Sequence, residues 1–211
     1  MNNRDKAILE SIRKFRVLDR DQIIAMHFQD QKQKITTANR ILNRLVLKGL
    51  LKASTAKRPY EYMGIDTLIK SDSAKISHFK ALADFYISIS KGMKPTVFEV
   101  EPKVGGKGSI EPDIYMVWNS TAYFVEIQRS RYTKKVMQKK VDLYKRYMAS
   151  DLWKEKSARF PLIWIQSDEP YNDLDPGNLK ILQAATVKEC VKKYMQTSKK
   201  IQVSQNLTLQ P

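Results

Sequence analysis

Residues 110–128 hold the side chains whose types and spacing best suit chemistry. They read Ile110-Glu-Pro-Asp-Ile-Tyr-Met-Val-Trp118, then Asn119-Ser120, then Thr121-Ala-Tyr-Phe-Val-Glu-Ile-Gln128. The outer segments are rich in aromatic and β-branched residues and the middle pair is a turn signal, which predicts a hairpin with a two-residue loop. In that register Trp118 faces Thr121, Asp113 faces Glu126, and Glu111 faces Gln128. Directly opposed residues share a face roughly 5 Å apart. Two carboxylates that close repel unless positive charge lies between them. A hard divalent cation bound through oxygens is the usual solution, and metal-assisted phosphodiester hydrolysis requires one. In the plainer alternative, Asp113 only opens a strand after Pro112, and Glu126 pairs with Arg129 or Arg131 at a sheet end.

The same alternation predicts what surrounds the hairpin. Ile114, Met116, Tyr123, Val125 and Ile127 fall on one side, and Tyr115, Val117, Ala122 and Phe124 on the other. A sheet apolar on both faces must be covered by helices on both faces.

The 211 residues carry a net charge of +16. Residues 1–75 hold 16 Lys and Arg against 8 Asp and Glu, half of that excess, so basicity is not confined to a tail. A surface of this kind favours a polyanion through counterion release, and nucleic acid is expected ahead of a membrane because no basic face carries clustered exposed aromatics. No apolar run approaches the roughly 20 residues that span a bilayer, and the first residues lack the apolar core of a signal peptide. One Cys and two His cannot build an ordinary zinc site or an internal disulfide. A cytoplasmic protein is expected.

Helical periodicity begins at once. Ile8, Leu9, Ile12 and Phe15 share a face over residues 4–15, and a short helix is expected over 21–28. A longer one over 35–48 buries Ala38, Ile41, Leu42, Leu45 and Val46, with Gly49 as its stop. Residues 50–53 and 60–63 flank a basic turn, Ser54-Thr-Ala-Lys-Arg-Pro59. Three short helices and a basic hairpin resemble a winged helix-turn-helix, and Leu45-Val-Leu-Lys-Gly-Leu-Leu51 resembles the exit of its recognition helix. The resemblance implies that the last helix enters the major groove of double-stranded DNA and the wing touches the backbone. Thr36, Thr37, Arg40, Asn43 and Arg44 lie toward the polar side of that helix, and Lys57 and Arg58 on the wing. The plainer reading of Arg40 and Arg44 is ordinary solvated helix charge.

A polar joint over 66–75 then leads to a helix over 77–90, a strand over 96–101, the hairpin, a basic helix over 134–148, a strand over 160–166, and a closing helix over 178–195. Gly105-Gly106-Lys107-Gly108 lacks the Lys-Ser/Thr ending of a phosphate loop. This order, with Pro112-Asp113 and Glu126-x-Gln128, resembles the PD-(D/E)XK nuclease-like superfamily. The resemblance implies that Asp113 and Glu126 bind magnesium and act as catalytic residues beside Gln128, which stands where the family has Lys. A Gln amide orients water but supplies no charge. Lys135, Lys139 or Lys140 on the next helix are the available replacements, and Glu111, Glu101 or Asp84 could complete a metal shell. Lys140 and Tyr144 lie four apart on one helical face, a spacing similar to that of RecB-like nucleases, where such a pair lines the DNA groove; core packing is the rival role for Tyr144.

A longer resemblance covers nearly the whole chain. Arg4-Asp-Lys-Ala-Ile-Leu9, Gln22-Ile-Ile-Ala-Met-His-Phe28, Thr37-Ala-Asn-Arg-Ile-Leu-Asn-Arg-Leu45, Gly49-Leu-Leu51, His78, Glu111-Pro-Asp113 and Tyr123-Phe-Val-Glu126 resemble the replication-relaxation family of Gram-positive plasmids, phages and conjugative elements. It implies an α+β protein in which a winged helix-turn-helix over 1–70 precedes a PD-(D/E)XK nuclease-like domain over 76–196, a mixed sheet flanked by helices, with a polar tail over 197–211. The implied role is in DNA replication or relaxation, with magnesium-dependent nicking. The rival is a non-catalytic regulator that uses a degenerate nuclease fold for DNA binding or as the surface of a homodimer.

Overall fold

The computed structural model describes residues 1–70, 73–106, 108–130 and 132–193. The tail over 197–211, Lys107 and Arg131 lie outside the described residues. The chain forms two compact units, Met1–Lys94 and Pro95–Pro211.

In the first unit α1 (Asn3–Phe15) starts where Asn2 accepts from the Asp5 backbone N–H and Asp5 reciprocates, closing a capping box. Ile8, Ile12 and Phe15 are its buried stripe. Strand β1 (Val17–Asp19) follows and is wholly buried. Asp19 then caps α2 (Arg20–His27), with Gln22 completing a second capping box. Helix α3 (Lys34–Leu47) buries Ala38, Ile41, Leu42 and Leu45. It stops at Gly49, whose φ of +65° is the left-handed conformation only glycine adopts cheaply. Strands β2 (Leu51–Ser54) and β3 (Glu61–Gly64) form the hairpin, and β1 pairs with β3 to give the antiparallel order β1-β3-β2. Val17-Leu18-Asp19 is thus a strand rather than a mere break between helices.

Helix α4 (Lys75–Ser90) belongs to this unit, although the sequence places it at the head of the second domain, from residue 76. The reason is ionic. Lys80 reaches the buried carboxylates of Asp19 at 3.0 Å and Glu61 at 3.2 Å. The Gln22 amide donates to the Lys80 carbonyl and the Asp84 carboxylate. Leu82, Ala83 and Ile89 supply buried apolar surface beside these contacts.

His27 closes α2 with its Nε2 2.9 Å from the Ser11 hydroxyl. Burial, with the charges of Arg4 and Lys94, lowers its pKa from 6.5 to about 4. The unfolded chain therefore takes up a proton before the native ring does. The neutral ring's contribution is complete above pH 6.5 and is lost as pH falls toward 4. The expected loss is roughly 2 kcal/mol, less than the full linkage value because the ring is only half-buried. Melts from pH 7 to 4 should show this slope, and His27→Gln should flatten it; an equal slope in both proteins refutes the assignment.

The second unit is a five-stranded sheet in the order β4 (Val97–Val100), β5 (Ile114–Trp118), β6 (Thr121–Ile127), β7 (Leu162–Gln166) and β8 (Ile181–Gln183). The first three strands are antiparallel, whereas β6-β7 and β7-β8 are parallel. Parallel pairing of β6 and β7 needs a crossover, and α5 (Lys134–Ala149) supplies it, capped by Thr133. Met137, Val141, Tyr144 and Tyr147 of α5 pack with Tyr115, Phe124, Ile163 and Ile165. Ile114, Met116, Tyr123, Val125 and Trp164 are buried on the other face. The closing helix expected over 178–195 is corrected: 181–183 are β8, and helix begins at 187. Pairing with β7 overrides the local pattern there, because Ile163 and Ile165 offer a buried edge to cover.

Candidate functional site

The hairpin forms in the expected register. Trp118 pairs with Thr121 and Ile114 with Val125, while Asn119 and Ser120 carry φ of +47° and +58°, the backbone of a tight hairpin turn. One step beyond the paired register, Asp113 Oδ2 accepts from the Ile127 N–H at 2.7 Å, and its charge acts on the neighbouring Glu126. The adjoining strand holds the same residue from its other side, through the Glu101 N–H to the Asp113 carbonyl at 2.8 Å.

Glu126 points at α5 and is only 2% exposed. Both its oxygens are taken. Oε1 accepts from the Tyr144 hydroxyl at 2.6 Å, and Oε2 is paired with the Lys140 ammonium. The four-residue spacing of Lys140 and Tyr144 puts both groups on one carboxylate. Burial raises the Glu126 carboxyl to about 7; Lys140 opposes the rise and the Asp113 charge adds to it. Burial disfavours the Lys140 charge, yet Glu126 and Asp113 outweigh it and the ammonium pKa is raised. Burial and the Glu126 charge push Tyr144 well above its ordinary value, so it remains a donor. Phe124 lies against Tyr144 with ring centroids 5.7 Å apart.

Tyr144 is thus a core residue whose hydroxyl is engaged inside the unit. Only 2% of its surface is exposed. Lys140 reaches the same carboxylate from a half-buried position, its side chain 28% exposed. Gln128 is held elsewhere: its Oε1 accepts from the Tyr171 hydroxyl at 2.6 Å, and its Nε2 lies 3.9 Å from the Met137 sulfur. Tyr171 in turn accepts from the Tyr132 N–H at 2.9 Å. Tyr171 carries no sequence signal, being 43 residues from Gln128 in a loop without periodicity. Glu111 is exposed, and Asp84 lies in the first unit, bonded to Gln22.

These residues do not fit the magnesium ion that the nuclease-like pattern implies. A hard cation needs carboxylate oxygens turned toward it, whereas both Glu126 oxygens already face protein donors. Among the described residues, no three His, Cys, Asp or Glu side chains are grouped to hold a metal.

The first unit presents a different kind of surface. Thr36, Arg40 and Asn43 are exposed along α3, Thr37 is half-buried, and the buried stripe lies opposite. Arg44 is partly committed: its guanidinium pairs with the buried Asp5 carboxylate at 2.6 Å. Lys57 and Arg58 are exposed between β2 and β3, with the Arg58 guanidinium 4.8 Å from the centre of the Tyr60 ring. In the second unit Lys135 and Lys139 are exposed on α5.

Together the elements define a mixed α+β protein: helices with a small antiparallel sheet, then a five-stranded mixed sheet flanked by helices. Among the described residues no helix is long and apolar enough to cross a membrane. Comparison with family models, curated proteins and solved structures finds no match.

Proposed function

We propose that this protein binds duplex DNA through α3 and the β2–β3 hairpin, as a winged helix-turn-helix does. The reading extends to a role in replication or relaxation of a mobile element's DNA, with the second unit serving as a nuclease-like scaffold that binds the backbone without cutting it. One observation carries it: Thr36, Arg40 and Asn43 share the exposed face of a helix whose opposite face is core. The order α1-β1-α2-α3-β2-β3 and the basic hairpin tip match that mode of docking. Net charge of +16 supplies the sequence-independent attraction.

The test is duplex binding by the full chain across a salt series. Affinity should fall steeply with salt, and Arg40→Ala combined with Lys57→Ala should weaken it by about tenfold or more while lowering the salt slope by roughly one to two. Asp21→Ala, remote from α3's outer face in sequence, serves as the control. Binding that ignores salt, or a double variant that binds like the parent, removes this reading in favour of a protein-interaction module.

A further inference from the structure

We infer that the Lys140 ammonium is the resident cation of the Asp113–Glu126 pair, so that the second unit needs no divalent metal to hold its acidic site. Two opposed carboxylates at a sheet end repel unless positive charge lies beside them. Lys140 provides it from α5, a helix fixed against the sheet by Met137, Val141 and Tyr144. Tyr144 takes the remaining Glu126 oxygen, and the Ile127 N–H takes one oxygen of Asp113. A magnesium ion prefers about six oxygens in near-octahedral geometry and gives up its water reluctantly. To bind Glu126 it must first displace an ammonium and a phenol that are tied to a packed helix. The covalent tether keeps the Lys140 ammonium at the carboxylate without recruiting an ion from solution. Gln128 supports the same assignment: its amide is anchored to Tyr171, so the charge that a lysine at that position would bring comes instead from Lys140.

This has a consequence for α5 that rests on the DNA-binding reading above. Lys135 and Lys139 remain exposed while Lys140 is engaged, so the helix offers phosphate two lysines without a bridging metal.

The experiment is a set of thermal melts and manganese-binding titrations on the full chain, in EDTA and in millimolar magnesium or manganese at matched ionic strength. The parent should melt at one temperature in all three and show no saturable manganese binding. Lys140→Ala, which leaves the carboxylates without their cation, should melt lower in EDTA and recover by about 4 °C or more with manganese. Lys140→Ala with Asp113→Ala should lose that recovery. If Lys140→Ala does not fold, Lys140→Met keeps the apolar stem and the parent titration still decides. The inference is overturned by parent manganese binding that Asp113→Ala abolishes, or by magnesium-dependent nicking of supercoiled plasmid with the same dependence. Duplex binding by the parent should be equal in EDTA and magnesium. Absence of any duplex binding would count against the proposed function and leave the Lys140 assignment intact.

Discussion

Lys80→Ala is expected to destabilise the first unit by about 2–3 kcal/mol, less than the full cost of breaking a buried ion pair because the two acids are buried but the Lys80 side chain is 26% exposed. Lys80 serves two acids at once, Asp19 and Glu61, which are 8% and 4% exposed. Burial works against its charge, but hydrogen bonds and attraction from Asp19 and then Glu61 raise its pKa. Without it two carboxylates stay buried near each other. Asp19 is still fastened to the Gln22 N–H by its capping role, so it cannot swing out to water. Lys80→Met, which keeps the stem but not the charge, should cost nearly as much, separating the ionic contribution from packing. Urea denaturation of the full chain reads both; a loss under 1 kcal/mol for Lys80→Ala would show that these acids find other partners.

The second large effect is expected at Glu126. Glu126→Ala strands Lys140 and removes the acceptor of a fully buried phenol, for a loss of about 3 kcal/mol or more. Glu126→Gln retains an acceptor for Tyr144 but removes the charge, so its loss should be smaller, and Tyr144→Phe smaller again at about 1–2 kcal/mol. The order Glu126→Ala, Glu126→Gln, Tyr144→Phe is the diagnostic result. Equal losses for the first two would mean that charge dominates and the phenol contributes nothing. In a solvated site, by contrast, all three substitutions would be nearly neutral, because water would replace each lost partner.

Both effects come from acids buried against a lysine of a neighbouring helix. The hairpin of residues 114–127 was legible because alternation has a period of two and Asn119-Ser120 marks the turn, so pairing Trp118 with Thr121 places Asp113 opposite Glu126 with no further information. Helices α3 and α5 were legible from 3.6-residue spacing, which also put Lys140 and Tyr144 on one face. Strands β1 and β8 were not, since three residues hold too little periodicity to outweigh the helical propensity around them. The attachment of α4 was hidden for another reason: it depends on Lys80 meeting Asp19 and Glu61, residues 61 and 19 positions away.

The amino-acid sequence by itself therefore determined that two carboxylates oppose each other at the end of an apolar hairpin, because strand register follows local alternation and turn chemistry. Only the tertiary structure showed that Glu126 is paired with a lysine of the following helix. A free metal ion and a lysine from the following helix satisfy the same electrostatic demand. The crossover from β6 to β7 lays α5 across the sheet with the Lys140 side chain directed at Glu126. The same division holds in the first unit. Helical spacing exposed Thr36, Arg40 and Asn43, while the tertiary fold brought Arg44 to the buried Asp5.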